Sequence, residues 1–355
     1  MREEFDAPLR ELTTMRVGGP ASRLVTATTI DEVVDAVRET DDADEPLLVL
    51  SGGSNLVIAD EGFAGTVVRV ASSGITVESA DACGGAILRV AAGECWDDLV
   101  SYAVAQGWAG IEALSGIPGL TGATPVQNVG AYGQEVAQTI WQVRAWDRRE
   151  QAVRTFANAD CAFTYRHSVF KGTDRYVVLD VAFQLEVSDL SRPLAYADLA
   201  RGLGVAVGER VPLAVAREGV LEQRRRRGMV LDDADHDTWS CGSFFTNPVL
   251  SREGFERLCA RAASRGVEGT PPGFPDAQGC VKTSAAWLID RAGFSKGYGS
   301  PGPAALSSKH VLAVTNRGGA SAAEIAALAR RVRDGVYDAF GVALVNEPVF
   351  VGLEL

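Results

Sequence analysis

The chain has 355 residues, 46% of them hydrophobic, enough to bury a large core in two or three domains. Its formal net charge of −12 argues against general affinity for nucleic acid, whose phosphates demand a basic surface. No run approaches the ~20 apolar residues needed to cross a bilayer, and the opening MREEFDAPLR lacks the charged-then-apolar pattern of a signal peptide.

A cytoplasmic protein without a membrane partner is therefore expected. Cys83, Cys95, Cys161, Cys241, Cys259 and Cys280 include no C-x-x-C pair, so free thiols are expected rather than a metal site or a redox dithiol.

Along the chain, TTIDEVVDAVRET places Thr29 and Glu32 at capping-box spacing and Val33, Val34 and Val37 on one helical face. EPLLVLSGGSNLVI reads as a strand over Leu47 to Leu50, a loop at Gly52 and Gly53, and a second short strand around Val57. Alternating valines from Thr66 to Ala92 predict further strands, and ECWDDLVSYAVAQGWAG a helix ending near Gly107.

From Gly110 to Gly133, glycine and proline are too frequent for a regular helix or strand. Ile111, Leu114, Ile117, Leu120 and Val126 nevertheless favour packing, so a long ordered loop is expected. EQRRRRGMVLDDADHD has the look of a domain junction. SAAEIAALARRVRDGVYDAF is an amphipathic helix opened by Ser321 and Glu324, and GVALVNEPVFVGLEL supplies a late strand to a sheet made earlier.

Two glycine-rich loops about sixty residues apart could line the two sides of an extended dinucleotide. Gly52, Gly53, Ser54 and Asn55 suit anion binding, and Ser115, Thr121, Thr124, Gln127 and Asn128 offer hydroxyls and amides to phosphates and ring edges. Neither loop matches a Walker or Rossmann pattern, and two purely structural omega loops remain the alternative.

Ser243 in SCGSFFTNP allows three readings. A hydrolase nucleophile would lack G-x-S-x-G and have only His167, His236 or His310 as base. A serine hydrogen-bonded to its own loop is the plain reading. The third is a proton donor, and an aliphatic hydroxyl can protonate only a strongly basic carbanion or enolate in a shielded, cation-flanked site.

Arg166 in YRHS could supply that cation or pair with a surface carboxylate. Glu347 in VNEPVF is either an outward edge residue or a carboxylate aimed into a cleft. Arg224 to Arg227 end a solvated helix or bind a diphosphate.

TTMRVGGPA, LSGGSNLV, GIEALSGIPGLTGATPVQNVGAYG, FTYRHSVFK, GSFFTNPV, KTSAAWLIDRAGF and NEPVFVG occur in one order across nearly the whole chain. In this the sequence resembles the UDP-N-acetylenolpyruvoylglucosamine reductases of bacterial peptidoglycan synthesis. The resemblance implies an α+β protein with FAD-binding lobes of vanillyl-alcohol-oxidase type at residues 1–72 with 341–355 and at 73–214. A separate α+β substrate-binding lobe is implied at 215–340.

FAD would lie between the first two lobes, noncovalently, because neither glycine loop contains a histidine. The implied contacts are Gly52, Gly53, Ser54, Asn55, Ser115, Pro118, Gly119, Thr121, Gly122, Thr124, Pro125, Asn128, Gly130 and Ala131. NADPH would be the cosubstrate in a ping-pong scheme, the small-molecule substrate a UDP-sugar enolpyruvyl ether, and the protein a monomer.

The motifs further imply Ser243 as proton donor, with Arg166 and Glu347 polarising the substrate carboxylate and organising the enol. Tyr196 matches a tyrosine that closes over substrate in one branch of the family, and Asn247 a nucleotide-sugar contact. Arg227 stands where a lysine is usual, which keeps the charge but not the geometry. An FAD-dependent alcohol or lactone oxidase and a non-catalytic nucleotide-sugar sensor are the competing classes.

Overall fold

The computed structural model describes residues 1–81, 83–276 and 279–355. It divides the chain into two compact units. The first comprises Met1–Ala7, Ala21–Gly53 and Ala64–Arg226; the second comprises Pro8–Pro20, Ser54–Phe63 and Arg227–Leu355. One boundary falls inside the SGGSN loop, and another inside the run of four arginines.

In the first unit, Thr29 caps helix α1 (Ile30–Asp42) by accepting from the Glu32 N–H. The Glu32 carboxylate answers at the Thr28 N–H, 2.7 Å away, so the reciprocal bond falls one residue earlier than the capping-box spacing suggests. Val33, Ala36 and Val37 of α1 are buried with Val25, Ala27, Val68 and Val70 of a four-stranded sheet. Its order is Arg2–Pro8, Pro20–Ala27, Phe63–Val70, Leu47–Leu50, the last pair being parallel.

The larger sheet runs Ala152–Ala157, Ile140–Asp147, Tyr176–Val187, Gly85–Ala91, Ile75–Asp81, with antiparallel neighbours. Its central strand, YVVLDVAFQLEV, is covered on both faces, which explains a nearly continuous apolar run in place of alternation. Asp180 is buried in that strand because Arg89 and Arg144, from the strands on either side, reach it at 2.9 and 2.7 Å.

Helix α2 (Trp96–Ala105) buries Trp96, Leu99, Val100 and Ala103 in the same core, and Gly107 follows with φ +71°. The next glycine-rich segment is ordered, as its apolar residues require: Ile111 and Leu114 are fully buried, and Ile117 and Val126 pack on the core. Short helix α3 (Ala197–Gly202) and helix α4 (Leu213–Arg226) complete the unit around a satellite cluster that includes Leu194, Leu199, Val211 and Val220.

In the second unit, helices α5 (Arg252–Ser264), α6 (Ala285–Arg291) and α7 (Ala322–Phe340) share a core with Phe244, Phe245, Met15 and Val57. The C-terminal strand Val349–Val351 pairs in parallel with Leu56–Ile58, nearly 300 residues earlier, as the apolar ending predicts. Helix α7 carries the full capping box of Ser321 and Glu324 and stops at Gly341, φ +67°.

Ser321→Ala removes one half of that reciprocal pair. It should cost the second unit about 1 kcal/mol, read as a lowered urea midpoint with an unchanged slope.

Candidate active site

Within the first unit the two glycine loops meet backbone to backbone. A Cβ built on Gly52 would stand 2.6 Å from the Gly119 Cα, closer than any side chain can approach. Gly119 has φ +122° and Gly53 has φ +59°, backbone regions that glycine enters freely. Gly122 lies equally flat against Ala92, where a Cβ would come within 2.4 Å of the alanine methyl.

The side chains expected to face a ligand from this loop are instead committed within it. Ser115 donates to the Glu112 carbonyl at 2.7 Å, Thr121 to that of Glu94 at 3.1 Å, and Thr124 to that of Thr121 at 2.8 Å. All three are buried. They brace the loop, so what it can present to an anion is mainly backbone.

Asn128 is buried with φ +47°; it donates to Glu135 Oε2 and the Thr164 carbonyl and accepts from the Ala137 N–H. That ties the loop to the turn bearing Arg166, which is itself left-handed at φ +54°. Arg166 donates to the Gly130 carbonyl at 2.8 Å, and its guanidinium lies 5.3 Å from the Tyr165 ring centre. A left-handed arginine costs on the order of 1 kcal/mol, a strain that surrounding bonds must hold in place.

Pro118, Pro125 and Ala131 lie on the same ordered segment, with Ala131 paired to Gln134 in a two-residue hairpin. Tyr196 begins α3, is half exposed, and meets Tyr132 edge to face at 5.6 Å between ring centres.

Arg166 and Tyr196 thus belong to the first unit, whereas Ser54, Asn55, Arg227, Ser243, Asn247 and Glu347 belong to the second. There the Phe244 and Phe245 rings are fully buried, 5.3 Å apart, and anchor the loop that carries Ser243. The Phe244 N–H donates to the Leu312 carbonyl and the Glu347 N–H to the Phe244 carbonyl, both at 2.8 Å. Backbone pairing therefore sets Ser243 and Glu347 beside one another although about a hundred residues separate them.

Asn55 joins the same cluster, its amide donating to the Glu347 carbonyl at 3.1 Å. Glu347 precedes the terminal strand rather than lying inside it. Asn247 Oδ1 accepts from the Ala285 N–H at 3.0 Å, at the start of α6.

The Ser243 hydroxyl, half-buried, makes no hydrogen bond among the described residues, against the reading of a serine tied to its own loop. Neither histidine of its unit serves it as base. His236 packs on Trp239 at 4.4 Å between ring centres, and His310 is half-buried. Burial, then the charges of Arg227 and Lys296, push His310 down to about 4, so it is neutral at pH 7.

Four contributors escaped the sequence reading. Ser51 Oγ, at the mouth of the first glycine loop, is buried with no hydrogen-bond partner among the described residues. Glu112, Tyr132 and Lys296 were missed because their importance rests on partners far away in sequence, although Ser51 adjoins the glycine pair directly.

A family model described as an FAD binding domain matches residues 21–155, the span holding both glycine loops. A second, described as the C-terminal domain of UDP-N-acetylenolpyruvoylglucosamine reductase, matches 233–351. The UDP-N-acetylenolpyruvoylglucosamine reductase of Streptomyces coelicolor is 58% identical over 358 residues, covering 100% of this chain and 92% of its own. That of Thermobifida fusca is 56% identical, covering 99% and 98%, and that of Mycobacterium tuberculosis 51%, covering 98% and 95%.

The crystal structure of the Thermus caldophilus UDP-N-acetylenolpyruvylglucosamine reductase superposes with a TM-score of 0.65 at 24% identity, covering 99% of this chain and 98% of that one. The fold is thus α+β, and the class is that of FAD-binding flavoproteins. The chain belongs to the UDP-N-acetylenolpyruvoylglucosamine reductase family.

The loops fit an FAD. Their Cβ-free contact opens a backbone cradle of the kind that admits a diphosphate, and Ser51 adds an uncommitted hydroxyl. Gly52→Ala must push the loops apart, so the purified variant should carry at most about a tenth of the wild-type flavin absorbance, a loss of 1.4 kcal/mol or more in affinity.

Protonation tests the second unit. Below the ordinary histidine value of 6.5 the unfolded chain takes up a proton that folded His310 refuses until about 4. Stability should fall as pH drops between those values, and His310→Gln should flatten that fall in urea melts at pH 7 and 5.

Proposed function

We propose that this protein reduces UDP-N-acetylglucosamine enolpyruvate to UDP-N-acetylmuramate in peptidoglycan precursor synthesis, with NADPH as hydride donor and noncovalent FAD as mediator. Relatives of that name at 51 to 58% identity over nearly the whole chain support it, as does the FAD-binding match. The observation that carries it is a half-buried serine hydroxyl with no hydrogen-bond partner among the described residues, on a loop locked by two buried phenylalanines and backed by Glu347.

An FAD held by the glycine loops would supply hydride transfer from NADPH to the enolpyruvyl methylene carbon, the two substrates using one site in turn. The residues that would hold it are Gly52, Gly53, Ser54, Asn55, Ser115, Pro118, Gly119, Thr121, Gly122, Thr124, Pro125, Asn128, Gly130 and Ala131. The first four are proposed as the approach of one loop; Ser115, Thr121, Thr124 and Asn128 act by keeping the other loop in shape.

Hydride addition leaves negative charge on the carbon bearing the ether oxygen, delocalised into the carboxylate. Ser243 donates its hydroxyl proton to that carbon, completing the lactyl ether. Arg166 balances charge on the substrate carboxylate, its guanidinium aimed by the Gly130 carbonyl. Glu347, in its protonated form, hydrogen-bonds the developing enol.

Arg227, beside Lys296 and neutral His310, gives an acidic protein a local cationic patch for the diphosphate. Tyr196 closes over the nucleotide sugar and Asn247 contacts it. Within this reading the flavin lobes are of vanillyl-alcohol-oxidase type, at 1–72 with 341–355 and at 73–214, with substrate held by 215–340. The enzyme works as a monomer in the cytoplasm. Among the described residues no helix is long and apolar enough to cross a membrane.

Anaerobic NADPH should bleach the flavin of the purified protein, and UDP-N-acetylglucosamine enolpyruvate should restore its colour; no substrate-driven reoxidation would falsify the proposal. Ser243→Ala should keep reduction by NADPH while turnover falls by roughly 4 kcal/mol, about a thousandfold. Unchanged turnover would remove the serine from the mechanism.

A further inference from the structure

Glu112 is a buried carboxylate, 2% exposed, on the second glycine loop, and nothing in the reaction described above uses it. Its two oxygens accept three hydrogen bonds that converge from different parts of the first unit. Oε2 takes the Gly110 N–H at 2.6 Å, within its own loop. Oε1 takes the Gln134 amide at 2.9 Å and the Arg192 N–H at 2.6 Å.

Gln134 closes the circuit by accepting from the Ala113 N–H at 2.8 Å. It is also the partner of Ala131 in the short hairpin whose Gly130 carbonyl holds the Arg166 guanidinium. Arg192, in turn, lies four residues before Tyr196. One carboxylate therefore sits between the cofactor loop, the hairpin that aims Arg166, and the segment that presents Tyr196.

Packing holds only part of the last of these: Leu194 is buried in the satellite cluster, whereas Arg192 and Pro193 are exposed. A cavity of about 320 Å³ opens between Arg192, Pro193 and Leu194 on one side and Tyr132, Gln134 and Val220 on the others. Beside the burial of Leu194, the segment bordering this open pocket is placed by its hydrogen bonds: Arg192 N–H to Glu112, Ser191 N–H to the Val211 carbonyl and Leu194 N–H to that of Glu209.

We propose that Glu112 is a positioning residue for the substrate-reducing half of the reaction, holding Arg166 through Gln134 and Tyr196 through Arg192. The inference rests on the proposed function. It separates the half-reactions because NADPH brings no enolpyruvyl carboxylate for Arg166 to meet, so reduction of the flavin does not depend on where that guanidinium points.

The test uses full-length, flavin-loaded protein in anaerobic stopped flow. Wild-type protein comes first, and failure of its reduced flavin to be reoxidised by UDP-N-acetylglucosamine enolpyruvate overturns the functional reading without any variant. Glu112→Met, which keeps the bulk and removes every acceptor, and Gln134→Met, which breaks the link to the hairpin and the Ala113 bond but leaves the Arg192 bond to Glu112, should both reduce with NADPH within about threefold of wild type. Reoxidation by the enolpyruvyl substrate should slow by about tenfold or more in each, since small displacements of a positioning group cost up to ~100-fold.

Should Glu112→Met fail to retain flavin, Gln134→Met alone decides by the same criterion. Equal slowing of both half-reactions, no slowing of either, or loss of flavin from both variants would overturn the assignment, the last because Glu112 would then be holding the cofactor loop itself.

Discussion

Two stretches of backbone that touch with no side chain between them constrain the first unit. Gly52 and Gly119 are so close that a single methyl group at position 52 would separate the loops. Everything nearby follows from that contact. The hydroxyls of Ser115, Thr121 and Thr124 bind their own segment, and Asn128 accepts a left-handed backbone in order to join three strands of chain. A loop of this length inside a compact domain keeps one conformation only if its polar groups are satisfied internally.

The second unit solves the opposite problem. Its Ser243 hydroxyl is left uncommitted among the described residues while the backbone around it is tied down. Phe244 and Phe245 supply the immobility, since burying two aromatic rings contributes several kcal/mol, roughly 1.5–3 each, to holding the intervening backbone. Backbone bonds from Phe244 to Leu312 and from Glu347 to Phe244 then fix direction. Ser243 inherits a rigid frame without spending its own donor.

Charge is handled locally in a chain whose overall balance is acidic. Arg166 is held by carbonyl oxygens, Asp180 is matched by two arginines, and Arg227 and Lys296 face a histidine that burial keeps neutral. Arg227 and Lys296 thereby concentrate positive charge around one neutral side chain, a setting suited to an anionic group. Net charge alone would have suggested the reverse, because it averages over the surface whereas a bound diphosphate samples one patch.

Composition and spacing were enough to read helices α1, α2 and α7, the two glycine loops, the terminal strand and the motifs that carry the family resemblance. Each of these depends on neighbours in the chain: a cap three residues from its partner, an apolar face at helical period, a glycine where the backbone turns. What Glu112, Ser51, Tyr132 and His310 do could not be read that way, nor could the partnership of Ser243 with Glu347. Their roles depend on which distant segments fold against them, and the free energy of a buried polar group is decided by those partners rather than by its sequence neighbours.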